Sequence, residues 1–266
     1  MKKIKILVIV VAFIFGLVYT LNLEYFARGI RIVYLNLETT VFIDDLKYFD
    51  YETIKSPLEK SPWAESKYKT TNFSKEFEDY NKKMRTAAYV VIQNDTIIGE
   101  KYYEDYSVNS STNSFSMAKT PVSLMMAKAF EQGYINSLED KVIDYIPELK
   151  GEFANDVKII DLAAMTSGID WDEGTSNPFS PVAKQYFYED LDKLMLDQKF
   201  ITEPSKTYKY SSGNTQILSM VIEKATGMKT NDYFEKEFWS KINPDNDAYW
   251  KIESKESVNV KSFSCF

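Results

Sequence analysis

The sequence predicts an α+β protein with a transmembrane helix at its N-terminus. Two β-rich runs, residues 87–93 and 96–103, are separated by Asn94-Asp95, and a mainly helical stretch follows them. An almost uncharged apolar run at residues 6–23 precedes both. Strands followed by helices, rather than strands alternating with helices, are typical of an α+β arrangement. We divide the chain into an anchor at 1–25, a connector at 26–83 and the main domain at 84–266.

The N-terminal run has the length of a membrane-spanning helix. Lys2, Lys3 and Lys5 precede the apolar residues, and a helix needs roughly 17 to 25 residues to cross a bilayer. The basic flank would stay in the cytoplasm, which sends the rest of the chain to the extracytoplasmic side. A cleaved signal peptide that releases a secreted protein is the alternative, although "VYTLNLEYF" contains no small-residue cleavage site. Both interpretations place the domain outside the cytoplasm.

The composition excludes several kinds of catalytic site. The 266 residues include no histidine and a single cysteine, Cys265. A Ser-His-Asp triad, a Cys-His dyad, a His-ligated zinc site and an intramolecular disulfide are therefore ruled out. The net charge of −7, without a cluster of Lys and Arg, argues against nucleic acid as a partner. A nucleophilic serine would need lysine, tyrosine or a carboxylate to activate it, and we expect no metal and no cofactor.

The elements after the anchor are predicted from periodicity and from turn residues. Residues 26–83 show no sustained period, so we interpret them as a juxtamembrane connector that packs partly on the domain. Asn94-Asp95 suits a tight turn, so the two β-rich runs form a hairpin. Helices are then expected at 116–132 before Gly133, before Pro147, within 157–168 ending at Gly168, within 188–199, and on both sides of Gly227.

A serine and a lysine three residues apart stand at the start of the predicted 116–132 helix. The unpaired N–H groups and the dipole of a helix N-terminus favour negative charge near Ser116, and Lys119 lies on the same helix face. A lysine whose charge is disfavoured by its surroundings can act as a base. The spacing alone is weak evidence, because Ser66 and Lys69 repeat it in a polar segment. The first turn of a core helix is the alternative interpretation.

A second motif, "PSKTYKYSSGNTQ", places Tyr210 and Ser212 on a loop just before a helix. A tyrosine near a serine and a lysine can relay the proton between nucleophile and leaving group. Most of the 19 tyrosines in the chain must be packing residues, so this motif too has a purely structural alternative.

In order and spacing, these segments resemble the serine β-lactamase-related hydrolases. That family comprises class C β-lactamases, D-alanyl-D-alanine carboxypeptidases, esterases and 6-aminohexanoate-dimer hydrolases. The resemblance covers about residues 86–250, through "SFSMAKTPVSLMMAKAFEQGY", "VKIIDLAAMTSGIDW" and "YKYSSGNTQILSMVIEKATGM". The Tyr-x-Ser form and "DAYW" at 247–250 are closer to the 6-aminohexanoate-dimer hydrolase branch, because class C β-lactamases usually have Asn where Ser212 stands.

The resemblance implies a β-lactamase/transpeptidase-like fold, in which an antiparallel sheet is flanked by a helical region. It also implies that Ser116 is the acylated nucleophile, Lys119 its proton acceptor and Tyr210 the general base and acid. Ser212 would line the pocket and bond near Lys119 or the substrate. Residues 165–168 would form a structural turn under the site, to which we assign no chemistry.

Two features depart from the family pattern. The family's third motif, Lys-Thr-Gly or His-x-Gly on a late strand, has no counterpart, because "KATG" at 224–227 ends a predicted helix. The family's domain also continues well beyond the "DAYW" region. We therefore expect a C-terminally truncated hydrolase without its late strands and without one oxyanion donor, a loss that typically costs about 10²–10³ in rate.

The sequence is compatible with three functions. The first is a membrane-anchored, extracytoplasmic serine hydrolase of small amides or esters, including peptide-like substrates and β-lactams, which acts through an acyl-enzyme. The second, motivated by the missing third motif, is a non-catalytic binding or sensing module, or an inactive fragment, of the same fold. The third is a carboxylate-pair glycosidase that uses Asp170, Asp172 or Glu173, although carboxylates clustered on a polar loop are more often solvated surface.

Overall fold

The computed structural model describes residues 16, 18–21, 23–175, 177–187 and 190–254, which form two small sheets packed with helices. The strands are β1 (Tyr51–Ile54), β2 (Ala64–Thr70), β3 (Ala88–Gln93), β4 (Thr96–Tyr102) and β5 (Ala248–Lys251). The α-helices are α1 (Glu24–Ile32), α2 (Lys75–Lys83), α3 (Lys119–Glu131), α4 (Ile159–Ala163), α5 (Pro181–Phe187), α6 (Leu191–Leu196), α7 (Ser212–Thr226), α8 (Thr230–Phe234) and α9 (Ser240–Ile242). Short 3-10 helices cover Tyr34–Asn36, Asp45–Tyr48, Phe115–Ala118 and Val142–Asp144, and a π-helix covers Glu235–Trp239.

The larger sheet is built on the predicted hairpin. β3 and β4 pair antiparallel, with Ala88 opposite Tyr102 at the open end. At the turn, Asn94 and Asp95 have φ angles of 49° and 56°. Positive φ at both central residues is what a type I′ hairpin turn requires, and Asn and Asp tolerate it. The hairpin prediction is confirmed.

The third strand of this sheet makes it mixed rather than wholly antiparallel. β2 runs parallel to β4, with Ala64 opposite Thr96, and the strand order is β2-β4-β3. Parallel neighbours need a long crossover between them. Here α2 and β3 lie between the two strands in the sequence and provide that crossover.

The segment 26–83 is built into the fold. It contributes most of α1, both β1 and β2, and α2, and β1 pairs antiparallel with β5 near the other end of the described chain. Ile32 of α1 packs with Phe49 and Tyr186 in a small second core. The sequence shows no sustained period here because its helices have nine residues and its strands four and seven, too few for a pattern to repeat.

α7 is the central buried helix. Every residue from 212 to 222 is buried, and the helix packs against α3 and α4. Ser211 caps its N-terminus, where the side chain accepts a hydrogen bond from Asn214 N at 3.3 Å. Gly227 ends the helix with φ 69°, so the predicted break between two helices at this glycine is confirmed.

The helix predicted to end at Gly168 is shorter than expected. α4 stops at Ala163, because the chain turns at Met165, which has φ 60°. Gly168 is still required, since it has φ 77° and a Cβ there would lie 2.0 Å from Thr202 O. By contrast, α3 ends as predicted, shortly before Gly133 with φ 77°.

The predicted transmembrane segment 1–25 lies largely outside the described residues, which there comprise only 16, 18–21 and 23–25. None of the helices in the described part of the chain combines the length and the apolar character needed to cross a bilayer.

Candidate active site

Ser116 and Lys119 meet at the start of α3. Ser116 lies in the 3-10 helix Phe115–Ala118, and α3 begins at Lys119 itself. Lys119 Nζ donates a hydrogen bond to Ser116 Oγ at 3.0 Å, which is the contact that the spacing predicts. The lysine is 8% exposed, whereas Ser116 is exposed. The amine of the buried Lys119 therefore contacts the hydroxyl of the exposed Ser116, which a substrate can approach.

The turn that carries Ser116 has an unusual backbone. Phe115 has φ 47°, a left-handed conformation that costs an L-residue about 1–2 kcal/mol. Asn113 Oδ1 accepts a hydrogen bond from Phe115 N at 2.8 Å, and this bond offsets part of the cost. Backbone strain of this kind is often found at functional sites.

Tyr210 lies beside the same lysine. Lys119 Nζ is 5.0 Å from the centroid of the Tyr210 ring, within the range of a cation–π contact. The ring is 37% exposed, and the loop that carries it is anchored where Lys209 N bonds to Met165 O at 2.8 Å. The structure thus brings Ser116, Lys119 and Tyr210 together from two distant parts of the chain.

Ser212 is engaged by a residue that the sequence analysis did not link to it. Ser212 is buried at the start of α7. Its backbone N–H donates to Glu173 Oε2 at 2.9 Å, and its hydroxyl donates to Glu173 Oε1 at 2.5 Å. The expected bond near Lys119 or a substrate therefore competes with Glu173 for the same hydroxyl.

Glu173 also holds the loop that leads into it. Its Oε2 accepts a hydrogen bond from Trp171 Nε1 at 2.6 Å, so the carboxylate joins the buried Trp171 to the first turn of α7. Its neighbour Asp172 instead bonds within the loop, to Gly174 N at 2.9 Å. These bonds favour structural roles for Asp172 and Glu173 over a role as the catalytic carboxylate pair of a glycosidase. No sequence signal distinguishes the two carboxylates, because Ser212, which sets Glu173 apart, lies 39 residues away.

The turn at residues 165–168 braces the loop before Tyr210. Ser205 N bonds to Thr166 O at 2.9 Å, and the Ser167 hydroxyl donates to Asn214 Oδ1 at 2.5 Å. The turn therefore ties both the loop and the start of α7 to α4.

The second Ser-x-x-Lys copy has a different structure. Ser66 and Lys69 lie on strand β2, where residues three apart point to opposite faces. Lys69 Nζ bonds to Glu65 and Glu100, each at 2.8 Å. The hydrogen bond to Glu100 is the main cause that raises the Lys69 pKa far above its usual value. The two carboxylates thus favour the charged form of this lysine, which disfavours a role as a base.

The arrangement at α3 suits covalent chemistry. It offers an accessible hydroxyl, an amine that bonds to it and a phenol beside the amine, which are the parts needed to activate a serine without histidine. In the part of the chain that the structure describes, no three His, Cys, Asp or Glu side chains are grouped to hold a metal ion.

Comparisons with known proteins identify relatives of this chain. A 6-aminohexanoate-dimer hydrolase of Paenarthrobacter ureafaciens is 22% identical over 178 residues, which cover 61% of this chain and 44% of that protein. The solved structure of a provisionally assigned 6-aminohexanoate-dimer hydrolase from Bacillus anthracis matches with a TM-score of 0.71 at 18% identity, and covers 84% of this chain and 63% of that one. This chain thus spans less than half the length of the curated relative. The β-lactamase family profile matches residues 73–256, so the resemblance drawn from the motifs is confirmed and the chain belongs to the β-lactamase family.

Proposed function

We propose that this chain is a serine hydrolase of small amide or ester substrates that works through an acyl-enzyme. The observation that carries the proposal is the 3.0 Å contact between Lys119 Nζ and Ser116 Oγ, with the Tyr210 ring beside the lysine. Membership of the β-lactamase family supports the same chemistry.

In the acylation step, Ser116 Oγ attacks the carbonyl carbon of the substrate while Lys119 accepts the hydroxyl proton. The new O–C bond puts negative charge on the carbonyl oxygen, and N–H groups at the start of α3 stabilise this charge. Lys119 passes the proton to the leaving group through Tyr210 as the C–N or C–O bond breaks. The products are an amine or alcohol and an ester of Ser116.

In the second step, a water molecule attacks the Ser116 ester. Tyr210, assisted by Lys119, takes a proton from the water. The ester bond breaks, Ser116 regains its hydroxyl proton, and a carboxylic acid leaves. No cofactor takes part in either of these two steps.

The likeness to a 6-aminohexanoate-dimer hydrolase favours a small linear amide as the substrate. Peptide-like amides, esters and β-lactams share the same reacting carbonyl and remain within the proposed class. We also propose that the domain lies on the extracytoplasmic side of a membrane, tethered by residues 1–25. The basic residues followed by an apolar run support this location.

A fluorophosphonate probe tests the nucleophile. We expect the probe to label the wild-type protein and Ser66→Ala, but not Ser116→Ala. Lys119→Met should slow labelling by about 10²–10⁴-fold, the usual contribution of a general base, whereas Lys69→Met should label at the wild-type rate. The second Ser-x-x-Lys copy thus supplies matched controls within the same chain. Thermal unfolding should show that every variant is folded at the assay temperature.

Two results would count against the proposal. Labelling that persists in Ser116→Ala would remove Ser116 as the nucleophile. A folded wild-type protein that takes no label and hydrolyses neither p-nitrophenyl acetate, nitrocefin nor the linear 6-aminohexanoate dimer would favour the non-catalytic binding module.

A fusion tests the location. Alkaline phosphatase joined after residue 254 is active only when it is exported, so we expect activity in the membrane fraction of a bacterial host. Deletion of residues 1–25 should abolish that activity. Activity confined to the culture medium would indicate a cleaved signal peptide instead, and a lack of activity would place the domain in the cytoplasm.

A further inference from the structure

The turn before Ser116 depends on one side chain. Asn113 Oδ1 accepts the hydrogen bond from Phe115 N at 2.8 Å, next to the residue with φ 47°. The backbone of Asn113 is itself held, because Asn113 N bonds to Ile43 O at 2.8 Å. The backbone geometry that presents Ser116 therefore depends on the orientation of the Asn113 amide.

That orientation is set by a buried carboxylate. Asn113 Nδ2 donates to Asp45 Oδ1 at 3.2 Å and to the Tyr186 hydroxyl oxygen at 2.9 Å. The Tyr186 hydroxyl in turn donates to Asp45 Oδ2. Because a carboxylate only accepts hydrogen bonds, the NH₂ group of Asn113 must face Asp45. Its oxygen must then face Phe115 N.

Asp45 lies outside the region matched by the family profile, yet the fold buries it completely. It has 0% exposure at the start of the 3-10 helix Asp45–Tyr48. Burial raises the pKa of Asp45 and lowers the pKa of Lys251 of β5, and the attraction between the two groups opposes both shifts. Lys251 Nζ donates to Tyr186 O at 2.7 Å and lies 3.6 Å from the ring centroids of both Phe49 and Tyr186. Three distant segments thus meet at one charged residue.

We propose that Asp45 is a positioning residue of the hydrolase, which acts through Asn113 to hold the turn that presents Ser116 to the substrate. This inference rests on the function proposed above. Asp45 has no part in the chemistry itself; it selects one of the two orientations of the Asn113 amide, and only that orientation supports the Phe115 backbone. The segment first interpreted as a connector then contributes to catalysis.

The first test is a double-mutant cycle on the rate at which the fluorophosphonate probe labels Ser116. Asp45→Asn and Asn113→Ala should each slow labelling by at least about tenfold, since small misplacements of reacting groups have large effects on rate. Because Asp45 acts through Asn113, the double variant should be no slower than Asn113→Ala. Effects that multiply would overturn the proposal.

Two matched controls separate positioning from loss of stability. Asp44→Asn changes the neighbouring exposed carboxylate, which bonds to Tyr106 at 2.6 Å, and should label at the wild-type rate. Ile32→Ala destabilises the same small core without touching Asn113. It should lower the unfolding temperature yet label at the wild-type rate in conditions where it is folded. Slow labelling in Ile32→Ala would mean that Asp45 affects labelling only by stabilising this small core.

The second readout is independent of catalysis. Hydrogen exchange at the Phe115 amide, followed by NMR, reports the bond to Asn113 whether or not Ser116 reacts. We expect exchange at least about tenfold faster in Asp45→Asn than in the wild type. If the wild type takes no probe but this exchange result holds, the proposed function fails while the link from Asp45 to the turn stands. Unchanged exchange in Asp45→Asn overturns the inference.

Asn113→Asp covers the case in which Asp45→Asn does not fold. The new carboxylate keeps the acceptor for Phe115 N but places a second negative charge against Asp45. The other polar or charged groups near the cluster are Tyr186, Lys251 and Arg28. Two adjacent carboxylates share a proton more readily as the pH falls. We expect Phe115 exchange, relative to wild type at the same pH, to slow between pH 7 and about pH 5. A ratio that stays constant with pH would contradict the proposal.

Discussion

Glu173 accepts two hydrogen bonds from Ser212, one from its backbone N–H at 2.9 Å and one from its hydroxyl at 2.5 Å. The same carboxylate accepts the indole N–H of Trp171. Glu173 therefore links the loop at 170–174 to the first turn of α7, which begins two residues after Tyr210. The position of the tyrosine relative to Lys119 depends on this link.

Glu173→Gln should lower both stability and activity. In glutamine an NH₂ group replaces one of the two carboxylate oxygens. At least one of the donors that bond to Glu173 in the wild type would then face another donor. A buried donor left without an acceptor costs about 1–3 kcal/mol, and we expect a loss of this size in the free energy of unfolding measured in urea. Probe labelling of Ser116 should slow as Tyr210 shifts. Asp172→Asn, in the exposed neighbour, should stay within about 0.5 kcal/mol of wild type, and an equal loss there would contradict a special role for Glu173.

Tyr210→Phe should separate packing from proton transfer. The variant keeps the ring beside Lys119 and removes only the hydroxyl, so we expect kcat to fall about 10²–10⁴-fold with little change in KM or in unfolding temperature. The assay is hydrolysis of p-nitrophenyl acetate. Tyr208→Phe changes an exposed tyrosine two residues earlier and should leave kcat unchanged. If Tyr210→Phe also retains the wild-type kcat, Tyr210 is not the proton relay.

Gly213→Ala should destabilise the start of α7. A Cβ at this position would lie 2.5 Å from the Trp171 ring, and both residues are buried, so neither can move away freely. Overpacking of this kind typically costs about 1–3 kcal/mol, which urea unfolding would measure. Lys224→Ala is an exposed substitution in the same helix and should change stability by less than about 0.5 kcal/mol. No loss in Gly213→Ala would mean that Trp171 packs elsewhere.

Glu100→Gln should weaken the dependence of stability on pH in the acid range. The hydrogen bond from Lys69, followed by that from Tyr102, lowers the pKa of Glu100 below its usual value of 4.5. A carboxylate with a lowered folded pKa binds fewer protons in the folded state than in the unfolded one. Its contribution is therefore full above pH 4.5 and is lost as the pH falls through and below that value.

Urea unfolding at several pH values would check this prediction. Glu100→Gln should be less stable than wild type at pH 7, and the two proteins should converge as the pH falls below 4.5. Glu148→Gln, an exposed carboxylate on a loop, should not alter the slope. A constant difference between Glu100→Gln and wild type at all pH values would contradict the ion-pair explanation.

Much of the local structure could be predicted from sequence because it depends on neighbours along the chain. Asn94-Asp95 predicts the hairpin turn because these side chains tolerate positive φ. Gly133 and Gly227 mark helix ends because glycine also adopts positive φ readily. The spacing of Ser116 and Lys119 predicts their contact once the segment is helical. Fold class and family followed from the order of such segments.

Contacts between distant segments could not be predicted in this way. The end of α4 was misplaced at Gly168 because the turn at Met165 depends on the packing of the loop before α7. The importance of Glu173 over Asp172 depends on which of the two faces Ser212. The short elements within 26–83 carry too little periodicity to be recognised, although they place Asp45 beside Asn113.

By itself, the sequence determined the family, the lack of histidine in these 266 residues, and the order of the elements that carry Ser116, Lys119 and Tyr210. The polar segment around Ser66 and Lys69 already set that motif apart in the sequence, and the tertiary structure showed what each of the two motifs contacts. One motif starts a helix, where residues three apart share a face and the lysine is buried. The other lies on a strand, where they point apart and glutamates hold the lysine protonated. Spacing is a local property, whereas burial and charge partners come from segments that only folding brings together.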